Sequence, residues 1–106
     1  MKILLWAEDL MTKTRLQSAW KAAGAAVLPK NSEEMPELIV MDLTARDAVA
    51  HIERLRAKHP ATDILAFGPH VDAEGFNAAK AAGATELVSR GSVLDKVLGR
   101  LQRAAA

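Results

Sequence analysis

The chain has no cysteine. That removes disulfides, thiolate metal sites and a cysteine nucleophile, and it fits a reducing cytoplasm. It also lacks an excess of charge of either sign. Fourteen Lys and Arg face thirteen Asp and Glu, for a formal net charge of +1, and so even a balance projects no strong field toward nucleic acid or a membrane. Long hydrophobic runs are missing. The longest near the start, residues 3–7, is far too short for a signal-peptide core or a membrane span, so a cytoplasmic chain with no membrane partner is expected. There is no internal repeat and no linker. There is also no G-x-G-x-x-G, no P-loop lysine pattern and no serine in a nucleophile-elbow context. Nucleotide binding and hydrolysis have no motif behind them, and no enzymatic activity is expected.

What the 106 residues do contain is an alternation of short apolar runs with helical periodicity. The runs at residues 3–7, 25–28, 38–41 and 64–67 are continuous rather than alternating, as strands buried on both faces are, and a last, short strand is expected at 86–89. Between them the period changes. Leu16, Ala19, Trp20 and Ala23 share one helical face after Thr12, with Gly24 placed to stop the helix. Thr44 is expected to open a second helix through Ala45, Ala48, Val49, Ile52 and Leu55, ended before Pro60. Asp72 is expected to cap a third with Phe76, Ala79 and Ala82, closed by Gly83. Ser92, with Asp95 three residues on, opens a fourth whose apolar face is Leu94, Val97, Leu98 and Leu101. Residues 29–37 (PKNSEEMPE) read as a loop, with at most one helical turn at 32–35. The result is one domain over residues 1–103, with 104–106 as a frayed tail. Strands alternating with helices predict an α/β fold, a parallel sheet covered on both faces.

In such sheets chemistry collects beyond the C-terminal strand ends, at a topological switch point. Glu8, Asp9, Asp42, Gly68, His70, Ser89 and Arg90 all fall there. Carboxylates from two strands suggest a hard-cation site, since magnesium takes oxygen ligands and keeps several waters; Glu8 and Asp42 are the pair to test. The alternative is that both are solvated acids at strand ends.

Four segments in order resemble response-regulator receiver domains of the CheY-like family. KILLWAED is similar to their first strand with its acidic pair, and PELIVMDL to the strand that presents the phosphoacceptor aspartate. GPHVDAEGF resembles the segment beginning with their switch hydroxyl residue. AAGATELVSRG resembles their last strand and its lysine-proline. The resemblance implies a flavodoxin-like three-layer sandwich, a five-stranded parallel sheet of order 2-1-3-4-5 with about four helices, the second helix reduced to a loop. It puts Asp42 at the phosphoacceptor position. Glu8 takes the place of the second metal-binding acid, with Ala7 in place of the first. The backbone carbonyl of Thr44 would be a further metal ligand. Gly68 replaces the switch hydroxyl, Arg90 the lysine and Gly91 the proline. Asp9 belongs to the same pocket. Arginine is a planar fork and not a point charge, and glycine cannot bond a phosphoryl oxygen. The resemblance therefore implies a receiver-like interaction module with a degenerate phosphoacceptor pocket and only weak magnesium affinity. The alternatives left open are a weak phosphoacceptor using Asp42 with magnesium, and a flavodoxin-like small-molecule binder using the same rim. With no output domain in the sequence, any effect is expected through another chain. The edge of the second strand is the expected surface for a protein partner or self-association.

Other candidates weigh less. His51, His59 and His70 come from separate segments, with His51 expected on a polar helix face. Trp6 and Trp20 are expected in the core, Trp6 near enough to the rim to wall a small pocket. Arg90, Lys96, Arg100 and Arg103 are expected on a solvated face. They come without the interleaved aromatics that stack bases, so no nucleic-acid partner is expected.

Overall fold

The computed structural model describes residues 1–69 and 72–105. Five strands and four helices follow one another as β1 (Lys2–Trp6), α1 (Leu10–Ala22), β2 (Ala26–Leu28), β3 (Leu38–Asp42), α2 (Ala48–Lys58), β4 (Asp63–Gly68), α3 (Ala73–Ala82), β5 (Glu86–Ser89) and α4 (Val93–Ala105). The strands form one parallel sheet in the order β2-β1-β3-β4-β5.

Alternation along each strand explains why the apolar runs are continuous. Ile3, Leu5, Leu38, Val40, Leu65 and Phe67 point to the layer of α1 and α4, where they meet Leu16, Trp20, Val93 and Val97. Leu4, Trp6, Ile39, Met41, Ile64 and Ala66 point to the layer of α2 and α3, against Ile52, Leu55 and Ala79. The tryptophans are both buried, as expected, one in each layer. The Trp20 indole N–H reaches across its layer to the Leu94 carbonyl at 3.3 Å, tying α1 to α4.

Boundaries differ from expectation where side chains hydrogen-bond the backbone. α1 begins at Leu10, two residues before Thr12, because the Asp9 carboxylate accepts the Thr12 N–H at 2.9 Å and caps the helix. α2 begins at Ala48, not at Thr44. Thr44 gives both its N–H and its hydroxyl to Asp42, which holds a turn, and Asp47, at φ 56°, leads into the helix. Residues 29–37 contain no helix, and no helical turn forms at 32–35; the Ser32 N–H bonds the Pro29 carbonyl at 3.0 Å in a turn. α4 runs through Ala105, two residues into the stretch read as a tail. The Ser92 hydroxyl pairs with that of Ser89 at 3.0 Å, at the start of α4.

On the sheet's N-terminal rim, Arg56 of α2 acts as a tie. Its guanidinium donates to the carbonyls of His59, Pro60, Thr62 and Gly83 at 2.7–3.1 Å, joining the loops that feed β4 and β5. Arg100 of α4 binds Asp63 at 3.0 Å and Glu86 at 2.8 Å, at the first residues of the same two strands. Of the four basic residues expected on a solvated face, Arg90 and Arg100 are instead engaged with the sheet ends.

Candidate functional site

β3 is buried over its whole length, so its last residue carries a carboxylate into the protein: Asp42 has no exposed surface. Such a charge needs compensation. One oxygen is satisfied locally. Asp42 Oδ1 accepts the Thr44 N–H at 2.9 Å and the Thr44 hydroxyl at 2.7 Å. Compensating charge comes from Arg90, just past β5, whose Nη2 lies 3.4 Å from the same oxygen. Asp42 Oδ2 is buried and has no hydrogen-bond partner.

Arg90 is positioned by backbone as well as charge. Its N–H donates to the Gly68 carbonyl at 3.0 Å, which fixes the residue beside the end of β4. The guanidinium lies over the Phe67 ring, 5.8 Å from the centroid. It also donates to the hydroxyls of Thr12 at 3.1 Å and Thr44 at 3.3 Å. Each hydroxyl passes its own proton to an acid: Thr44 to Asp42, and Thr12 to Asp9 at 2.6 Å. Asp9, Thr12, Arg90, Thr44 and Asp42 thus form one chain of hydrogen bonds from α1 to β3, with a cation in the middle. The Thr12 hydroxyl and N–H, helped by Arg90, hold the Asp9 carboxyl below the usual range, so it is ionised at neutral pH.

Asp42, Thr44, Arg90, Gly68 and Asp9 are therefore brought together at one rim. Glu8 lies on the same rim but is turned to other partners. It accepts the Arg46 N–H and pairs with Lys30 at 3.7 Å. The Arg46 N–H is the main reason its carboxyl is held low, with Lys30 adding to it. Among the described residues, no hydrogen bond or ion pair joins Glu8 to Asp42, and no three His, Cys, Asp or Glu side chains gather as metal ligands. Gly68 is buried but not tight: a Cβ there would sit 3.4 Å from the Leu43 Cβ, an ordinary contact. His70 lies outside the described residues.

Two features escaped the sequence reading. Thr12, expected only to start a helix, links Asp9 to Arg90; its offset of three from an acid was the available signal. His51, expected on a polar face, stacks on Trp6 with ring centroids 4.2 Å apart, while Lys30 and Arg54 lie 5.6 and 5.5 Å from the same ring. Trp6 is therefore roofed by cations and an imidazole rather than walling an open pocket.

A five-stranded parallel sheet of order 2-1-3-4-5 with helices on both faces is the flavodoxin-like fold. Solved receiver structures superpose on nearly the whole chain. The chemotaxis protein CheY4 of Vibrio cholerae shares 19% identity at a TM-score of 0.82, covering 96% of this chain and 96% of that one. The receiver domain of the TMAO respiratory system response regulator TorR shares 19% at 0.80, covering 98% and 95%. A response regulator from Thermotoga maritima shares 20% at 0.76, covering 96% and 94%. No protein-family model matches the chain, and no curated protein matches it by sequence.

Proposed function

We propose that this chain is a receiver-like signalling module that acts by binding other proteins, without enzymatic turnover and without dependence on phosphorylation. One observation carries the proposal: the cation of the pocket is spent internally. Arg90 is held against Asp42 by Gly68, Phe67, Thr12 and Thr44, so the aspartate already has a positive partner. To neutralise a phosphoryl group on Asp42, this cation would have to leave the contacts that hold it. Gly68 brings no hydroxyl to follow a phosphoryl group, and Ala7 brings no carboxylate.

The carboxylates present are a poor fit for resident magnesium. Octahedral oxygen coordination draws on one or two free carboxylates. Here Glu8 is engaged by Arg46 and Lys30, and Asp42 keeps a single unpartnered oxygen. The cytoplasm remains the proposed location.

Acetyl phosphate with magnesium, read by intact mass, and beryllofluoride with magnesium, read by amide shifts, test the proposal. No covalent adduct and no shifts near Asp42 are expected. An acyl phosphate mapped to Asp42 would overturn it. That outcome is the second reading, which the unpartnered Asp42 Oδ2 favours: Arg90 would swing off the aspartate and bind the phosphoryl oxygens.

A further inference from the structure

Away from the Asp42 rim, a groove of about 200 Å³ runs between α1 and the outer edge of the sheet. On the sheet side it is lined by Leu5, Val27, Leu28 and Pro29; Val27 faces the α1 layer half-buried and Pro29 is exposed, while the Leu28 side chain packs in the opposite layer. Its wall is a single stripe of α1, Lys13, Gln17 and Lys21, at successive offsets of four, so the three side chains rise one above another along the helix. No acid lines it, and among the described residues neither lysine is ion-paired. The rim of the groove is a bare strand. β2 pairs only with β1. Since the Ala26 N–H bonds the Met1 carbonyl, alternation turns the N–H and C=O of Val27 to the open side.

From this geometry we infer that the groove is a docking site for an extended acidic segment of another protein, which adds a strand to β2. This names the partner chemistry for the interaction module proposed above and rests on that proposal. Two spacings agree. Lys13 and Lys21 are eight residues apart on a helix, about 12 Å. Carboxylates four positions apart on one face of a strand are about 13 Å apart. The segment therefore carries acids at positions i and i+4, each facing a lysine. The residue midway, on the same face, is apolar and meets the half-buried Val27 beside Gln17. The Val27 backbone supplies hydrogen bonds that do not depend on sequence, and the lysines and the Val27 side chain supply the selection.

The probe is a fluorescein-labelled ten-residue peptide with two glutamates four positions apart and isoleucine midway, titrated into the full chain by anisotropy. Saturable binding is expected, with amide shifts confined to α1 and β2. Binding should fall at least tenfold when both glutamates become glutamine, or in the Lys13→Glu/Lys21→Glu protein. A peptide with lysines in place of the glutamates should bind that charge-reversed protein, which guards against a variant that merely misfolds. Asp42→Asn should leave the titration unchanged. Equal binding by the glutamine peptide, no saturation, or no rescue by charge reversal would overturn the inference. So would concentration-dependent dimerisation lost in the charge-reversed protein, since a second copy would then be the occupant. An acyl phosphate on Asp42 would sink the phosphorylation-independent reading while leaving this titration as it stands, so the two failures are distinguishable.

Discussion

Asp42 and Arg90 show what one buried charge requires of its neighbours. Removing a cation from a fully buried carboxylate costs about 3–5 kcal/mol in closed sites. The Arg90 side chain is 36% exposed, so Arg90→Ala should cost only about 1–2 kcal/mol. Against Asp42→Asn the same substitution should cost far less, because no charge is left to neutralise. A double-mutant cycle by urea unfolding checks both. His59 gives a second residue-scale test. It is buried at the end of α2 with its Nδ1 unpartnered. Burial, with Lys58 adding to it, holds its pKa below the usual 6.5. The unfolded chain therefore takes up the proton first as pH falls. The stability this group contributes is complete above pH 6.5 and is lost progressively below it, through the folded pKa. Urea midpoints should fall between neutral pH and pH 5 in the native chain, and less steeply in His59→Phe.

At the scale of elements, Arg56 stands out because its contacts lie far apart in sequence. Losing its donors would strand carbonyls in two loops, and Arg56→Ala should cost about 2–4 kcal/mol in denaturant unfolding. Gly83 is coupled to it. At φ +125° it holds a conformation other residues rarely adopt, and a Cβ would meet the Arg56 Cγ at 2.8 Å. Gly83→Ala should cost about 1–3 kcal/mol, and part of that should vanish in the Arg56→Ala background. Gly68 makes the contrast. With ordinary room around its Cβ, Gly68→Ser should change stability by less than about 1 kcal/mol. Element cores were legible in the sequence because a run such as residues 38–41 is apolar at every position. Helix starts were less so. Asp9 and Asp42 choose their backbone partners in three dimensions, and Thr44 looks like a cap until the aspartate two residues back claims it. The Arg56 tie was illegible, since nothing local marks an arginine whose acceptors sit at residues 59–62 and 83. In the site, Asp42, Gly68 and Arg90 could be grouped because all three end strands or follow them. The Thr12 link, the Glu8–Arg46 bond and the Trp6–His51 stack depend on how the β1–α1 turn and α2 approach each other, which no spacing encodes.

For the molecule as a whole, sheet position should set local stability. β3 lies between β1 and β4 and is buried throughout, whereas β2 has three residues and one neighbour. Native-state hydrogen exchange should be slowest in β3 and the core of β4, and fastest in β2. Comparable protection of β2 would mean that its open edge is already occupied in solution.

One indole in each layer gives the protein a matched pair of optical reporters. Trp20 sits dry between α1 and α4, while Trp6 carries a stacked imidazole and two cations on the opposite side of the sheet. Chains retaining a single tryptophan would let fluorescence follow each half alone, so whether the two halves melt as one cooperative unit can be observed without attaching a dye.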